Sequence, residues 1–448
     1  MVSKFGDIFF STGVRRNTVG TVRKAINVYM SFLSIWTVYS AVISRVDVLS
    51  LSIVFLSLML VPSFILIGSF KNSDPTTASY FDWSLSFLSL CVAVYFFAEI
   101  SMIATRISLF NELSFTQYLF SSLIIILTLE ITRRAVGLLL VAIVILFIIY
   151  NLYGHLISGN LGHGVITLSH FLDINVFTSD GLFGIPIRVA ATYAFLFVLF
   201  GTFLERSGGS DFFFKLAGSV VGKYTGGAAK ISIVSSALFG TMSGSPTSDV
   251  VATGSITIPL MKKNGYPANL AGGIEVAAST GGSLLPPVMG AAAFIMSEFT
   301  GISYFSILVA ALFPAILYYI CLFIQVDLRS RRLGLVGFSA KSREPFIKCF
   351  VNGWHHFLPL LGLVLMLGFG YSPTLSAAYG VFFIILSSHF KKYSRLGFQR
   401  IFEALSTAGV RMVGVTAACA AAGSHTGRIA FKVVITEENI FTSGELNV

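Results

Sequence analysis

The sequence predicts an all-α polytopic membrane protein, and three observations carry that prediction. Of the 448 residues 55% are hydrophobic and only 11% are charged, against roughly 25% charged in ordinary soluble domains. The apolar residues fall in runs of about 16 to 25, near the roughly 20 that a helix needs to cross about 30 Å of hydrocarbon. The basic residues gather in short clusters between those runs, where the positive-inside rule places them. The abundance of Phe (43) and Gly (41) agrees, since aromatic bulk suits lipid and Gly lets membrane helices approach closely.

Taken in order, residues 1–24 carry Lys4, Arg15, Arg16, Arg23 and Lys24 among apolar positions and read as an interfacial segment before a retained first helix. Spans are predicted at 25–44, 48–70, 82–105 and 117–132, joined by short loops into a first membrane domain, 25–132. A larger domain, 133–423, follows with spans at 135–153, 182–204, 303–326, 348–370, 373–390 and 402–423. Residues 424–448 are polar and form an atypical tail.

Two segments of the larger domain are too long for one span. Residues 231–261 contain an SGSP break, with Lys223 and Lys230 before it and Lys262 and Lys263 after it. Basic flanks on both sides imply entry and exit on one face, as a re-entrant helical hairpin. Residues 266–299 contain STGGSLLPP, where Gly281, Gly282, Pro286 and Pro287 would break a helix at mid-membrane depth. This gives one discontinuous helix, and about eleven crossing helices in all, beside the hairpin. With a cytoplasmic N-terminus, only Arg45, Arg106 and Arg188 fall outside, while Arg411 lies within a span.

Irregular backbone is tolerated at membrane depth only where it is buried in protein or lines a cavity, so the two breaks mark the candidate site. Ser243, Gly244 and Ser245 form the hairpin tip, with Ser245 as N-cap and Pro246 as first helical residue of the returning arm. Free N–H groups there favour anions, and unwound carbonyls can coordinate Na⁺. Asp249 follows one turn on; it could ligate Na⁺, exchange a proton, or merely complement the helix dipole. The second break, Ser279 to Pro287, offers the hydroxyls of Ser279, Thr280 and Ser283 and the carbonyls of Gly281 and Gly282. Glu275 precedes it and either joins the ion site or has an internal hydroxyl or basic partner.

Other chemistry is not indicated. A net charge of +10 comes from the clusters flanking spans and does not point to nucleic acid. Cys91, Cys321, Cys349 and Cys419 have no paired spacing. His155, His163 and His170 lack regular metal-ligand spacing and read as solvated loop residues, while His355 and His356 read as interfacial and pointing apart. There is no Walker loop, and the GxSxG-like runs lack a following Asp and His in sensible order. No enzyme activity and no cofactor are expected, apart from Na⁺ as coupling ion.

The stretch from LEITRRAVG to DLRSRRLGL, about 129–335, resembles the fused membrane subunit of tripartite ATP-independent periplasmic (TRAP) transporters of the TAXI type. The resemblance rests on FLFVLFGTFLERSGGSDFF, on FPAILYYI, and on the run from GGAAKISIVSS through GTMSGSPTSDVVATGSITIPLMKKNGYP to EVAASTGGSLLPPVMGAAAFIMSEFTG. It implies that residues 1 to about 132 correspond to the small four-helix subunit, fused to the large transport subunit. It further implies the first part of an inverted-repeat, elevator-type transporter in a bacterial or archaeal cytoplasmic (inner) membrane, surrounded by lipid. A periplasmic TAXI-type solute-binding protein would deliver an organic anion, a dicarboxylate or related carboxylate, and Na⁺ would drive uptake. Carried onto this chain, Ser243, Gly244, Ser245, Asp249, Ser279, Thr280, Gly281 and Gly282 are the positions near ion and substrate, with Na⁺ near Ser245, Asp249 and Thr280. Asp249 and Ser283 stand where Asn and Gln are common in the family.

After RMVGVTAACAAAG the family pattern would continue into a second hairpin, whereas SHTGRIAFKVVITEENIFTSGELNV follows here. The expectation is therefore a chain truncated at its C-terminus, inactive alone or completed by a separate polypeptide. A channel-like or receptor membrane protein without solute coupling is the competing reading.

Overall fold

The computed structural model describes residues 12–44, 47–159, 162–337 and 344–424. They are helical, and the one β pairing among them is an isolated bridge between Arg15 and Ile67. Nine helices among the described residues are long and apolar enough to cross a membrane. Large apolar side chains recur at helical spacing on outer faces, among them Phe32, Ile35 and Tyr39, then Phe87, Val94 and Phe97, then Val309, Phe313, Ile316 and Ile320. Water would not tolerate so much contiguous apolar surface, so the chain is a multi-pass membrane protein.

The chain packs as two compact units, one holding residues up to Ala191 together with those from Val410, the other Thr192–Gly409. In the first, α1 (Gly20–Val42), α2 (Val48–Leu66), α3 (Tyr80–Ala98), the short α4 (Ile100–Thr105), α5 (Phe115–Ala135) and α6 (Leu138–Tyr153) follow in order. Three of their starts, those of α2, α3 and α5, are capped by local side chains. Asp47 accepts from the N–H groups of Leu49 and Ser50 at 3.1 and 3.2 Å, and Ser79/Asp82 and Ser114/Gln117 form capping boxes for α3 and α5. Two further helices, α7 (Leu168–Phe177) and α8 (Ile185–Val189), close this stretch.

A buried ionic network joins these elements. Asp82 accepts from Arg16 and Arg134, each at 2.6 Å, and from the hydroxyls of Ser69 at 3.0 Å and Ser79 at 2.8 Å. Arg134 also pairs with Glu130 at 2.7 Å and lies over the Phe64 ring. Arg16, expected at an interface, is instead buried, because Asp82 and the carbonyls of Ile65 and Asp74 take its donors. His163, expected in solvent, is buried too, between the carbonyls of Tyr150 and Gly164. The part of the N-terminal segment before residue 12 and the tail from residue 425 lie outside the described residues.

In the second unit come α9 (Phe195–Arg206), α10 (Gly209–Val221), α11 (Gly227–Ser243), α12 (Pro246–Ala252), α13 (Gly254–Lys263), α14 (Ala268–Gly282), α15 (Ala291–Thr300) and α16 (Tyr304–Arg332). α17 (Phe346–Gly353), α18 (Phe357–Gly368) and α19 (Pro373–Ser388) complete it, and α20 (Phe398–Ser424) runs from this unit's sequence into the other. His355 and His356 do not diverge as expected: a 3₁₀ turn at Trp354–His356 brings their rings to 4.1 Å, and both are buried. A 3₁₀ turn, with about 3 residues per turn, separates successive side chains by more than an α-helix does, so the pairing comes from packing, with His356 against Phe212 and His355 against Tyr393.

Candidate site at the hairpin tip and helix break

α11 and the α12–α13 arm form an antiparallel hairpin whose reversal is made by Gly244, at φ +57°, followed by Ser245 in extended conformation. Glycine is required at 244 for more than its backbone angle, since a Cβ there would lie 1.9 Å from the Met289 carbonyl oxygen. α12 starts at Pro246 as the motif implies, but Ser245 does not cap it. Its hydroxyl pairs with Thr247 Oγ1 at 3.3 Å, and its N–H donates to Ser243 Oγ at 3.1 Å.

The second break lies later than the sequence suggests. Ser279 to Gly282 are still helical, and the irregular stretch is 283–290, between α14 and α15. Pro286 and Pro287 supply no N–H. The chain instead turns through N–H bonds from Ser283 to Thr280 O and from Leu284 to Gly281 O, and Gly290 N–H returns to Ser283 O at 2.8 Å.

The two breaks meet. Val288 N–H donates to Thr241 O at 3.3 Å, and α11 crosses α14 so closely that a Cβ on Gly240 would lie 2.3 Å from Gly282 Cα. Asp249 stands at this crossing, fully buried, accepting from the Ser243 hydroxyl. Its Oδ2 would be 2.7 Å from a Cβ placed on Gly282. Ser243, Gly244, Asp249, Gly281 and Gly282 therefore lie in one neighbourhood. Thr280 does not offer its hydroxyl to it, because that group donates to Val276 O at 2.7 Å on an exposed face.

The carbonyls of the broken helix are not left bare. Tyr318 and Tyr319 of α16 donate to Ala277 O and Ala278 O at 2.7 and 2.9 Å, and Tyr304 donates to Pro287 O at 2.7 Å and Val288 O at 3.1 Å. Gly281 is pressed against both rings, where a Cβ would approach Tyr318 to 2.6 Å and Tyr319 to 2.7 Å.

Beneath the tip lies a set that sequence reasoning left incomplete. Glu275 is fully buried and its partners are hydroxyls. Ser236, Thr253 and Ser279 reach Oε1 at 3.1, 2.5 and 3.3 Å, and Ser232 and Thr257 reach Oε2 at 2.6 and 2.5 Å. The signal was the spacing of 232/236, 253/257 and 275/279, which sets one polar stripe on each of three apolar helices. Two cavities elsewhere in this unit do not touch the tip. One of about 890 Å³ lies among Glu205, Arg206, Lys215 and Arg400, and one of about 420 Å³ among Tyr193, Glu298, Tyr304 and Tyr371.

Residues 123–437 match the family described as "Tripartite ATP-independent periplasmic transporter, DctM component". The match runs past Gly423 into the segment that sequence reading had set apart as atypical. Among curated proteins, the chain is 27% identical over 198 residues to a "Putative TRAP transporter large permease protein" of Haemophilus influenzae, covering 43% of this chain and 45% of that one. It is 28% identical over 219 residues to the "Sialic acid TRAP transporter permease protein SiaT" of Haemophilus influenzae, covering 48% and 35%. It is 30% identical over 206 residues to the "C4-dicarboxylate TRAP transporter large permease protein DctM" of Vibrio cholerae, covering 43% of each. The chain thus aligns with less than half the length of each of these relatives.

Proposed function

Because this chain belongs to the DctM-component family of tripartite ATP-independent periplasmic transporters, a family of permeases and not of enzymes, we propose that it is the permease of a sodium-coupled, binding-protein-dependent carrier for organic anions. The observation that carries this reading is the meeting of the hairpin tip with the helix break around buried Asp249. A carboxylate inside a membrane protein is held for function by default. Sodium would sit near Asp249, Ser243 and Ser245 and the backbone at Thr280, with Gly281 and Gly282 toward the substrate. The names of two relatives, which carry sialic acid and C4-dicarboxylate, favour a carboxylate substrate.

The same reading includes a re-entrant hairpin, about eleven crossings in the first part of an inverted repeat, and elevator-like movement. The N-terminus, Lys223 and Lys262 would share the cytoplasmic side of a bacterial or archaeal inner membrane. Residues 25–132 would correspond to the small subunit, and the soluble partner would be a TAXI-type binding protein.

Uptake by the intact transporter in proteoliposomes, with its cognate binding protein and an inward sodium gradient, tests the reading. Asp249→Ala removes a charged ligand worth roughly 1.5–3 kcal/mol, so the half-saturating sodium concentration is expected to rise about tenfold or more. Uptake that needs neither sodium nor the binding protein would instead support a channel-like protein. An unchanged sodium dependence in the variant would leave Asp249 as a dipole partner only.

A further inference from the structure

Glu275 poses a second charge problem beneath the tip. It is fully buried, as are Ser232, Ser236, Thr257 and Ser279, and Thr253 is 6% exposed. The nearest basic side chain on the facing helix, Lys230, is already committed to Asp327 at 2.5 Å, which Arg331 also approaches at 2.8 Å. Asp249 lies on the neighbouring arm and adds a second negative charge. The tyrosines that face α14 from α16, Tyr318 and Tyr319, spend their hydroxyls on backbone carbonyls. A carboxylate so enclosed, met by hydroxyls and with no basic side chain beside it among the described residues, keeps an uncompensated charge in a low-dielectric interior.

The hydroxyls show how the charge can be met. Thr253 Oγ1 is 2.8 Å from Asp249 O as well as 2.5 Å from Glu275 Oε1. Thr257 Oγ1 is 3.0 Å from Thr253 O and 2.5 Å from Oε2. Each hydroxyl has one hydrogen for two acceptors. When that hydrogen goes to the helix carbonyl, a lone pair faces the carboxylate at 2.5 Å, and a positive charge shared by both, for which the two oxygens must part, is the arrangement that satisfies both. The nest presents oxygen alone, from one carboxylate and five hydroxyls on three helical segments. That donor set is hard and singly charged, and suits a small monovalent cation better than a divalent metal, whose sites gather more carboxylates.

We infer that Glu275, with Ser232, Ser236, Thr253, Thr257 and Ser279, is a second cation site, for one dehydrated sodium ion, beneath the tip. It rests on the proposed function only for the identity of the ion. Its enclosure implies that exchange requires the α12–α13 arm to part from α14, since Thr253 and Thr257 supply one wall and Glu275 and Ser279 another.

Thermal unfolding of the full chain in detergent, in sodium chloride against choline chloride at equal ionic strength, tests this. In an Asp249→Asn background, which removes the tip carboxylate, sodium is expected still to raise the unfolding temperature. Adding Glu275→Gln is expected to abolish that rise. Sodium stabilisation that persists in the double variant overturns the inference. Stabilisation already absent in Asp249→Asn alone overturns it too, while leaving the tip site standing; no sodium effect in the unsubstituted chain fails both. If the double variant does not fold, Thr257→Val in the Asp249→Asn background keeps the carboxylate and removes one ligand. The sodium concentration for half-effect is then expected to rise several-fold, and an unchanged value overturns the site. A Glu275-dependent stabilisation produced by acidification and not by sodium would assign the charge to a proton and likewise overturn it.

Discussion

Two pairs of carboxylates, one pair in each unit, have their charge met in different ways. In the first, Asp82 is clamped between Arg16 and Arg134, and Glu130 between Arg133 and Arg134. The countercharge is permanent, and each guanidinium is further spent on backbone carbonyls, as Arg134 is on Ile67 O and Arg133 on Ser69 O. In the second, Asp249 and Glu275 are met by hydroxyls. A hydroxyl can turn from donor to acceptor, whereas a guanidinium only donates. One arrangement locks a structure; the other can take up and release a positive charge without being rebuilt.

The sharpest way to break this comparison is to remove one partner from the locked network. Asp82→Ala leaves buried Arg16 without its carboxylate and Arg134 with Glu130 alone, and is expected to cost about 3–5 kcal/mol of stability, measured by unfolding of the full chain in detergent. A loss no greater than that of a surface substitution would show that the network is not a clamp. Next in size, Gly282→Ala forces a methyl to 2.7 Å from both Asp249 Oδ2 and Gly240 Cα, and an overpacking cost of about 1–3 kcal/mol follows. The same variant should weaken sodium-dependent uptake, because the obstructed atom belongs to the proposed ligand.

Smaller effects sharpen the contrast. Tyr318→Phe deletes one hydroxyl bond to Ala277 O and is expected to cost about 1 kcal/mol. Glu275→Gln keeps the shape of the side chain and lets the hydroxyls reorient, so in sodium-free medium it should cost less than about 1 kcal/mol. A loss as large as that of Asp82→Ala would mean that the nest, too, is a fixed clamp.

Much of the fold was legible because membrane helices announce themselves by composition. The runs that became α2, α3, α5 and α6 were visible as apolar stretches, whereas the caps at Asp47, Ser79 and Ser114 that start α2, α3 and α5 were not read from them. SGSP and GGSLLPP marked the two breaks through residue types that weaken a helix, although Gly281 and Gly282 themselves stayed helical. What was not legible is what depends on partners distant in the chain. Arg16 was placed at an interface because nothing nearby predicts Asp82, sixty-six residues on. His163 finds its acceptor at Tyr150 across a turn. The hydroxyls around Glu275 come from three helical segments, and Ser and Thr are so common in membrane helices that their stripes stand out only once the crossing at Gly240 and Gly282 is known.

The loop 283–290 has little slack. At one end Gly244 of the hairpin tip abuts Met289, and on the other side Tyr304 holds Pro287 and Val288 by their carbonyls. Movement of the loop is therefore handed directly to α16, whose 29 residues make a rod about 44 Å long at about 1.5 Å per residue. A tilt of about 5° at the Tyr304 end would swing the far end by about 4 Å over that length. Arg329, Arg331 and Arg332 sit in that last turn, so such a tilt would displace charge at the opposite end of the helix, working against the ties from Lys230 to Asp327 and from Tyr266 to Ser330, with Pro314 as the place where the helix can bend.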